Sequence, residues 1–300
     1  AEFDIYIADL KGKITKKLTD SPGYDAEAVV SPDGKYIVFT SSRSGDLELW
    51  RMDIDGKNLK QLTSGLGYDG GAFFSHDSKK LVFRSSRPTT AEEIKGYKDL
   101  LAENLVAPTN MEIYTMNIDG SDLKQITHLG KANWSPYFHP SDQSIVFSSN
   151  HHSTKGYDFQ IYSIDIDGKN LHQITFESEF NAFPMFSPDG KKFVFSSNRK
   201  GDTPHETNVF IADWVESDRT ELVSEKNMLN TLTYLASDEL KGRLAGSEGE
   251  KKAAEFISKA FKTFQLKPFE GKNYTQNFSY EVKMNPHQDD SSVKVADRNI

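Results

Sequence analysis

Five polar residues recur at one place in a repeated unit. Asp25 with Glu27, then Asp69, Asn133 and Asn181 each stand at the start of a short run rich in apolar and aromatic residues. Carboxylates and amides converging from successive units on one mouth could hold the charged end of a peptide, because a partly desolvated ammonium–carboxylate contact is stronger than an exposed one. The competing reading is that these side chains cap neighbouring strand ends and line a wet channel. Other clusters carry less. His287-Gln288-Asp289 has the His-x-Asp spacing of a metal motif, but it lies in a polar loop stretch. His151 and His152 are adjacent, so in an extended segment their rings point to opposite faces and do not share an ion. Asp53-Ile54-Asp55-Gly56 and its copies lack the further acidic ligands of a calcium loop and read as hairpin turns. His205-Glu206 has no second histidine one helical turn on, and no Gly-x-Ser-x-Gly occurs. The sequence therefore assigns no catalytic residue and no metal ligand within this chain.

The elements that must position the five residues are read from a repeated turn. Ser31-Pro32-Asp33-Gly34 returns as Ser187-Pro188-Asp189-Gly190, and in decayed form as Ser75-His76-Asp77-Ser78 and Pro140-Ser141-Asp142-Gln143. Each copy lies between two strand-like runs, a hairpin signature. An Ile-Tyr or Leu-Trp pair leading to Asp-Gly follows, and then Gln-(Leu/Ile)-Thr at Gln61, Gln125 and Gln173. Marker spacings from Tyr6 to Trp50 (44 residues) and from Tyr114 to Tyr162 (48 residues) fit the blades of a β-propeller, with four strands a to d in each. The predicted blades run from Asp25 to Thr63, Asp69 to Thr127, Asn133 to Thr175, and Asn181 to about Val223. Before them stand only a c strand at Ile5–Asp9 and a d strand ending at Thr19.

An unpaired c–d remnant needs a hairpin to cover its edge, so the pattern is that of a piece of a longer polypeptide or of a ring completed by a partner chain. The interval from Trp50 to Tyr114 is 64 residues, which places an insertion at about 86–109 between strands b and c of the second blade. Thr90 and Glu93 form a capping box there, and Ile94, Tyr97, Leu101 and Leu105 follow at helical spacing, predicting a helix over Ala91–Leu105. Strand alternation puts this helix over the face that bears Tyr24-Asp25 and Tyr68-Asp69. Beyond about Val223 the period changes. Met228, Leu229, Leu232 and Leu235 form one helical stripe; Ser247 and Glu250 form a second capping box, followed by a helix carrying Ala253, Ile257, Ala260 and Phe264. Tyr274–Val282 alternates weakly like an edge strand, and Asn299-Ile300 opens another.

The net charge of -8 disfavours a nucleic-acid partner, no run is long and apolar enough to span a membrane, and Ala1-Glu2-Phe3-Asp4 opens on strand pattern without a basic, apolar leader. Zero cysteines exclude disulfides and thiolate metal sites.

Over Phe3–Trp214 the turn, the Phe-Ser-Ser strand ends at Phe147 and Phe195, and the Ile-Tyr and Leu-Thr marks resemble the propeller repeats of TolB-like proteins and of tricorn-type and prolyl-oligopeptidase-type peptidases. The segment from Leu235 through Gly242-Arg243-Leu244-Ala245-Gly246-Ser247 to Ile257 is similar to the N-terminal entry of di-zinc exopeptidases of the aminopeptidase S and aminopeptidase Y type; Gln265 departs from that pattern, standing where a glycine is usual. The two resemblances together imply a mainly β fold: about four and a half blades of a TolB-like propeller over residues 1–223, from a parent ring of six. The opening piece of an α/β zinc-peptidase domain follows over 224–300. They imply a propeller-bearing zinc aminopeptidase outside the cytoplasm, with peptides or a protein partner at the propeller face and two zinc ions held by residues beyond Ile300. The alternative is a non-catalytic TolB-like scaffold of the cell envelope.

Overall fold

A computed structural model describes residues 3–201, 203, 206–215, 225–263, 266, 268, 274–275, 294–295 and 298–299. They fall into two compact units, residues 1–215 and 216–300.

The first unit is a series of antiparallel meanders. Strands β1 (Tyr6–Ala8) and β2 (Ile14–Lys17) pair alone. Three complete four-stranded sheets follow. The first is β3 (Asp25–Val30), β4 (Tyr36–Ser41), β5 (Glu48–Asp53) and β6 (Lys60–Gln61). The second is β7 (Asp69–Phe74), β8 (Lys80–Ser86), β9 (Met111–Asn117) and β10 (Lys124–Gln125), and the third is β11 (Asn133–Phe138), β12 (Ser144–Ser149), β13 (Gln160–Asp165) and β14 (His172–Gln173). A last sheet has β15 (Asn181–Phe186), β16 (Lys192–Ser197) and β17 (Asn208–Asp213) among the described residues. All four predicted blade starts are strand starts.

The repeated turn explains the hairpins. In its first copy the Ser31 hydroxyl accepts from the backbone N–H groups of Lys35 and Tyr36 and donates to Asp33, while Gly34 takes the left-handed φ of 72° that closes the turn. The decayed copies put Ser78 and Asp142 in that conformation. Each offsets the strain with a bond to the adjacent sheet's turn: Ser78 Oγ accepts from Asp33 N (3.1 Å), and the Asp142 carboxylate accepts from His76 N (2.8 Å) and Asp77 N (3.0 Å).

Apolar residues fill the spaces between successive sheets. Val38 and Leu49 of the first sheet meet Phe74, Leu81 and Phe83 of the second; Val82 and Ile113 meet Phe138, Ile145 and Phe147; Val146 and Ile161 meet Phe186, Phe193 and Phe195. Face-to-face stacking in chain order sets the first strands β3, β7, β11 and β15 side by side as an inner wall.

Helix α1 (Ala91–Ala102) sits between β8 and β9 and starts on the predicted capping box, with Thr90 and Glu93 bonding each other's backbone N–H. It ends three residues before the predicted Leu105, because the N–H groups of Glu103 and Leu105 both turn back to the Leu100 carbonyl.

The second unit contains α2 (Glu225–Leu235), a 3-10 segment Asp238–Arg243 and α3 (Glu248–Thr263). Ser247 Oγ caps α3 by accepting from Glu250 N, and the Glu250 carboxylate reaches the N–H of Gly246, one residue before the cap. Lys294–Val295 pairs with Arg298–Asn299. The expected edge strand at Tyr274–Val282, except its first two residues, as well as Gln265 and His287-Gln288-Asp289, lie outside the described residues.

Candidate functional site at the inner strands

The first residue of each inner strand is buried in a junction between sheets. Asp25 and Asp69 are 2% and 1% exposed, and Asn133 and Asn181 are fully buried. Each pairs across the hairpin with a serine, Ser41, Ser85, Ser149 and Ser197. Eighteen residues after it stands Arg43, Arg87, His151 or Arg199. Arg43 Nη2 lies 2.7 Å from Asp25, Arg87 Nη2 2.8 Å from Asp69, and Arg199 Nη2 2.8 Å from the Asn181 carbonyl oxygen. His151 breaks the series: its Nδ1 contacts Ser149 Oγ at 2.9 Å, and the Asn133 carbonyl oxygen is left without a hydrogen-bond partner among the described residues.

On its other side each residue meets the preceding sheet. Asn133 Nδ2 donates to Glu112 Oε2 (3.2 Å), and Asn181 Nδ2 donates to Gln160 Oε1 (3.0 Å); both partners lie 21 positions earlier. The threonine of the Gln-(Leu/Ile)-Thr mark completes each junction. Thr127 Oγ1 donates to Glu112 (2.5 Å) and Thr175 Oγ1 to Gln160 (2.8 Å), while the same oxygens accept from Ile113 N and Ile161 N. In the preceding junction Glu48 holds the place of Glu112 and Gln160, facing Asp69. Buried polar groups are stable only when paired in this way, so these four residues staple sheet to sheet.

Glu27 differs from the other four. Every inner strand carries a bulge two residues after its start, and the residue there has a left-handed φ: Glu27 (56°), Gly71 (62°), Ser135 (50°) and Phe183 (56°). Only one of the four is the glycine that adopts this conformation without strain, so at the others the backbone is held against its preference and the side chain is turned onto the inner wall. Glu27 Oε2 accepts from Thr40 Oγ1 (2.7 Å), Tyr68 Oη (2.9 Å) and Gly71 N (2.9 Å), and Oε1 pairs with Arg84 Nη2 at 2.9 Å. Arg84 also donates to Tyr68 Oη and lies over the Tyr68 ring. About a quarter of each side chain of this ion pair remains exposed. Burial raises the Tyr68 hydroxyl well above its ordinary value, so it acts here as a donor.

The sequence brings Asp25, Glu27 and Asp69 to adjacent strands as expected, but each carboxylate has an arginine of its own: Arg43, Arg84 and Arg87. The wall is therefore charge-balanced. Arg43, Arg87, Glu48, Glu112 and Gln160 were missed in the sequence, although constant offsets of 18 residues after and 21 before the strand starts could have found them; Arg84 follows neither offset, and Tyr68 was read only as a mark of the face.

Helix α1 packs beside this wall. Tyr97 is buried with Tyr68 and Met111, Leu101 and Leu47 join them, and the Tyr97 hydroxyl donates to Asp46. Between the helix and the end of β8 lies a cleft of about 360 Å³ whose lining includes Arg87, Pro88, Tyr97 and Leu100.

Among the described residues no three His, Asp or Glu side chains group as metal ligands. His152 Nδ1 lies 2.9 Å from the Tyr162 hydroxyl, and the Asp55 carboxylate accepts from Lys57 N within its own turn.

The TolB beta propeller domain (PD40) matches residues 1–93 and 98–233. The chain belongs to that family. Among solved structures the propeller is similar to TolB from Acinetobacter baumannii, at 24% identity and TM-score 0.55 over 69% of this chain and 45% of that one. A putative TolB from Agrobacterium tumefaciens shares 22% identity at TM-score 0.50, covering 67% of this chain and 66% of the other. An oligogalacturonate lyase in complex with manganese shares 19% at TM-score 0.50, covering 70% and 56%. Identities this low show the fold alone. A curated relative, the uncharacterized protein Atu1656 of Agrobacterium fabrum, is 40% identical over 50 residues, 17% of each chain. The propeller thus spans less than two thirds of the length of each of these proteins.

Proposed function

We propose that this propeller is the substrate-gating module of a zinc-dependent exopeptidase of the aminopeptidase type that works outside the cytoplasm, with residues 224–300 opening its catalytic domain. One observation carries the reading. The stretch that resembles di-zinc exopeptidases packs on itself in a compact unit of its own, with Leu240 wholly buried, Tyr234 against Phe256, and Gly249 so close to the Leu240 carbonyl that a Cβ would stand 1.8 Å from its oxygen. No described group of side chains fits a zinc ion, so no step of metal chemistry is derived from these residues; in this reading the two ions and their ligands belong to the continuation of the polypeptide. The contribution of this chain is recognition. Glu27 and Arg84 present a partly exposed ion pair on the inner wall, and α1 packs against Tyr68, whose hydroxyl donates to Glu27.

A second reading, a non-catalytic scaffold of the cell envelope that binds a protein at the propeller face, is favoured by the burial of Asp25, Asp69, Asn133 and Asn181 in junctions rather than on a ligand surface. To separate the two, the polypeptide is produced from its full natural reading frame and the release of N-terminal residues from aminoacyl anilides is followed. Release that a chelator abolishes and zinc restores supports the peptidase; no release at any zinc concentration overturns it.

A further inference from the structure

The junctions of this propeller supply their hydrogen atoms in different ways. Between the second and third sheets an amide N–H of Asn133 faces Glu112, and between the third and fourth an amide N–H of Asn181 faces Gln160. The first junction sets Asp4 before Asp25, two acids, but Lys17 Nζ reaches Asp4 at 2.9 Å and Arg43 reaches Asp25. Between Glu48 and Asp69 neither device is present. Both side chains are carboxyls, both are at least 98% buried, and the residue at the position of Lys17 is Gln61, whose amide is spent on the Thr63 carbonyl. Of the two carboxyls Arg87 reaches only Asp69, its Nη2 bonding Oδ2 at 2.9 Å and standing 2.8 Å from Oδ1 while its Nη1 donates to the Ser86 carbonyl, and neither Glu48 Oε2 nor Asp69 Oδ1 has a hydrogen-bond partner among the described N–H and O–H donors. Two facing carboxyls can hydrogen-bond only if one of them keeps its proton.

We propose that Glu48 and Asp69 share one proton, and that this proton is a pH-operated clasp between the first and second complete sheets. When it is held, Glu48 donates to Asp69 and the junction has the bond that the amides provide elsewhere; when it is lost, two buried negative charges face one arginine. The other groups that face the pair make loss of the proton harder or are already committed. Asp46 adds a second negative charge beside Glu48, the Tyr97 hydroxyl of α1 donates to Asp46 and stays neutral, Tyr114 of β9 lies under Arg87, and Arg43 is held by Asp25. Burial first, and then Asp69 and Asp46, push the Glu48 carboxyl up to about 7, against the opposing Thr63 hydroxyl; Asp69 is raised in the same sense by burial, with Arg87 opposing. The helix rides on this junction through Tyr97, so opening the clasp frees both the β5–β7 contact and α1.

The sign follows from linkage. An acid whose folded pKa is raised binds more protons folded than open, so the junction is tightest below the ordinary carboxylate range and weakens as pH climbs to about 7. Between pH 5 and 8 the closing equilibrium should fall by roughly 70-fold if the open form titrates as a free carboxyl. Amide exchange of Asp69 N, which bonds Leu47 O, corrected for its intrinsic pH dependence, reads this opening, and the infrared carboxylic-acid C=O band reads the proton. In the native chain the band should disappear near pH 7 as exchange accelerates. Glu48→Gln and, independently, Asp69→Asn each put an amide donor into the junction, so both should lose that band and keep slow exchange at pH 8. A native chain without the band at pH 5.5, or either folded variant reproducing the native pH dependence, would overturn the proposal.

Discussion

Replacing Asn181 with Leu removes one junction's hydrogen bonds while keeping the number of side-chain heavy atoms. Asn181 is fully buried, donates to Gln160 Oε1 (3.0 Å) and the Glu177 carbonyl (2.8 Å), and accepts from Arg199 (2.8 Å). Gln160 Oε1 keeps the Thr175 hydroxyl, so the loss there is small. The Glu177 carbonyl belongs to an exposed residue and can turn to water, so loss of its donor costs about 1 kcal/mol, and the charge-assisted bond from Arg199 is worth about 1 kcal/mol once its access to solvent is discounted. The expected destabilisation is therefore about 2 kcal/mol, which denaturant unfolding of the propeller followed by tryptophan fluorescence would register as a lower midpoint at unchanged slope. A loss below about 1 kcal/mol would mean that the junction residues are fillers and would refute the stapling argument.

Three further outcomes are expected. Gly67→Ala should cost about 3 kcal/mol or more, because φ is 130° there and the new Cβ would stand 2.1 Å from the Ser86 carbonyl oxygen; thermal unfolding checks it. Tyr97→Phe should loosen α1 by about 1 kcal/mol and no more, since Asp46 retains the N–H groups of Leu47 and Gly67, and exchange of the helix amides should rise while that of β12 and β13 does not. Arg87→Met should move loss of the carboxylic-acid band to higher pH, because the guanidinium is the charge that favours ionised Asp69.

The blade starts at Asp25, Asp69, Asn133 and Asn181 were legible because a turn fixed by its own side-chain bonds recurs with its flanks, and a register fixed at one turn fixes the whole hairpin. Helix α1 was legible from its capping box and apolar spacing. The site was legible only as a set of positions. Alternation places a residue on one face of a strand, but the bulge inserts an extra residue after each strand start, and this separates the partly exposed Glu27 from the buried Asp25 two positions away. The ion pairs were hidden for a different reason. Arg43, Arg87 and Arg199 follow the Ser-Ser strand ends and look like ordinary solvated loop charges, yet the hairpin folds each back onto the acid or amide 18 residues earlier. The junction chemistry, acid against acid at Glu48–Asp69 and amide against amide at Gln160–Asn181, appears only when the sheets are stacked.

Gating by the propeller is tested most directly by replacing Ala91–Ala102 with a short flexible linker in the polypeptide made from the full reading frame. The measurement is the ratio of turnover for a long peptide to that for a dipeptide amide. If α1 narrows the approach to Glu27 and Arg84, the ratio rises in the variant while turnover of the dipeptide amide is unchanged. An unaltered ratio in a variant that retains the native strand content would contradict the account and leave the helix as packing against Tyr68 and Met111 alone.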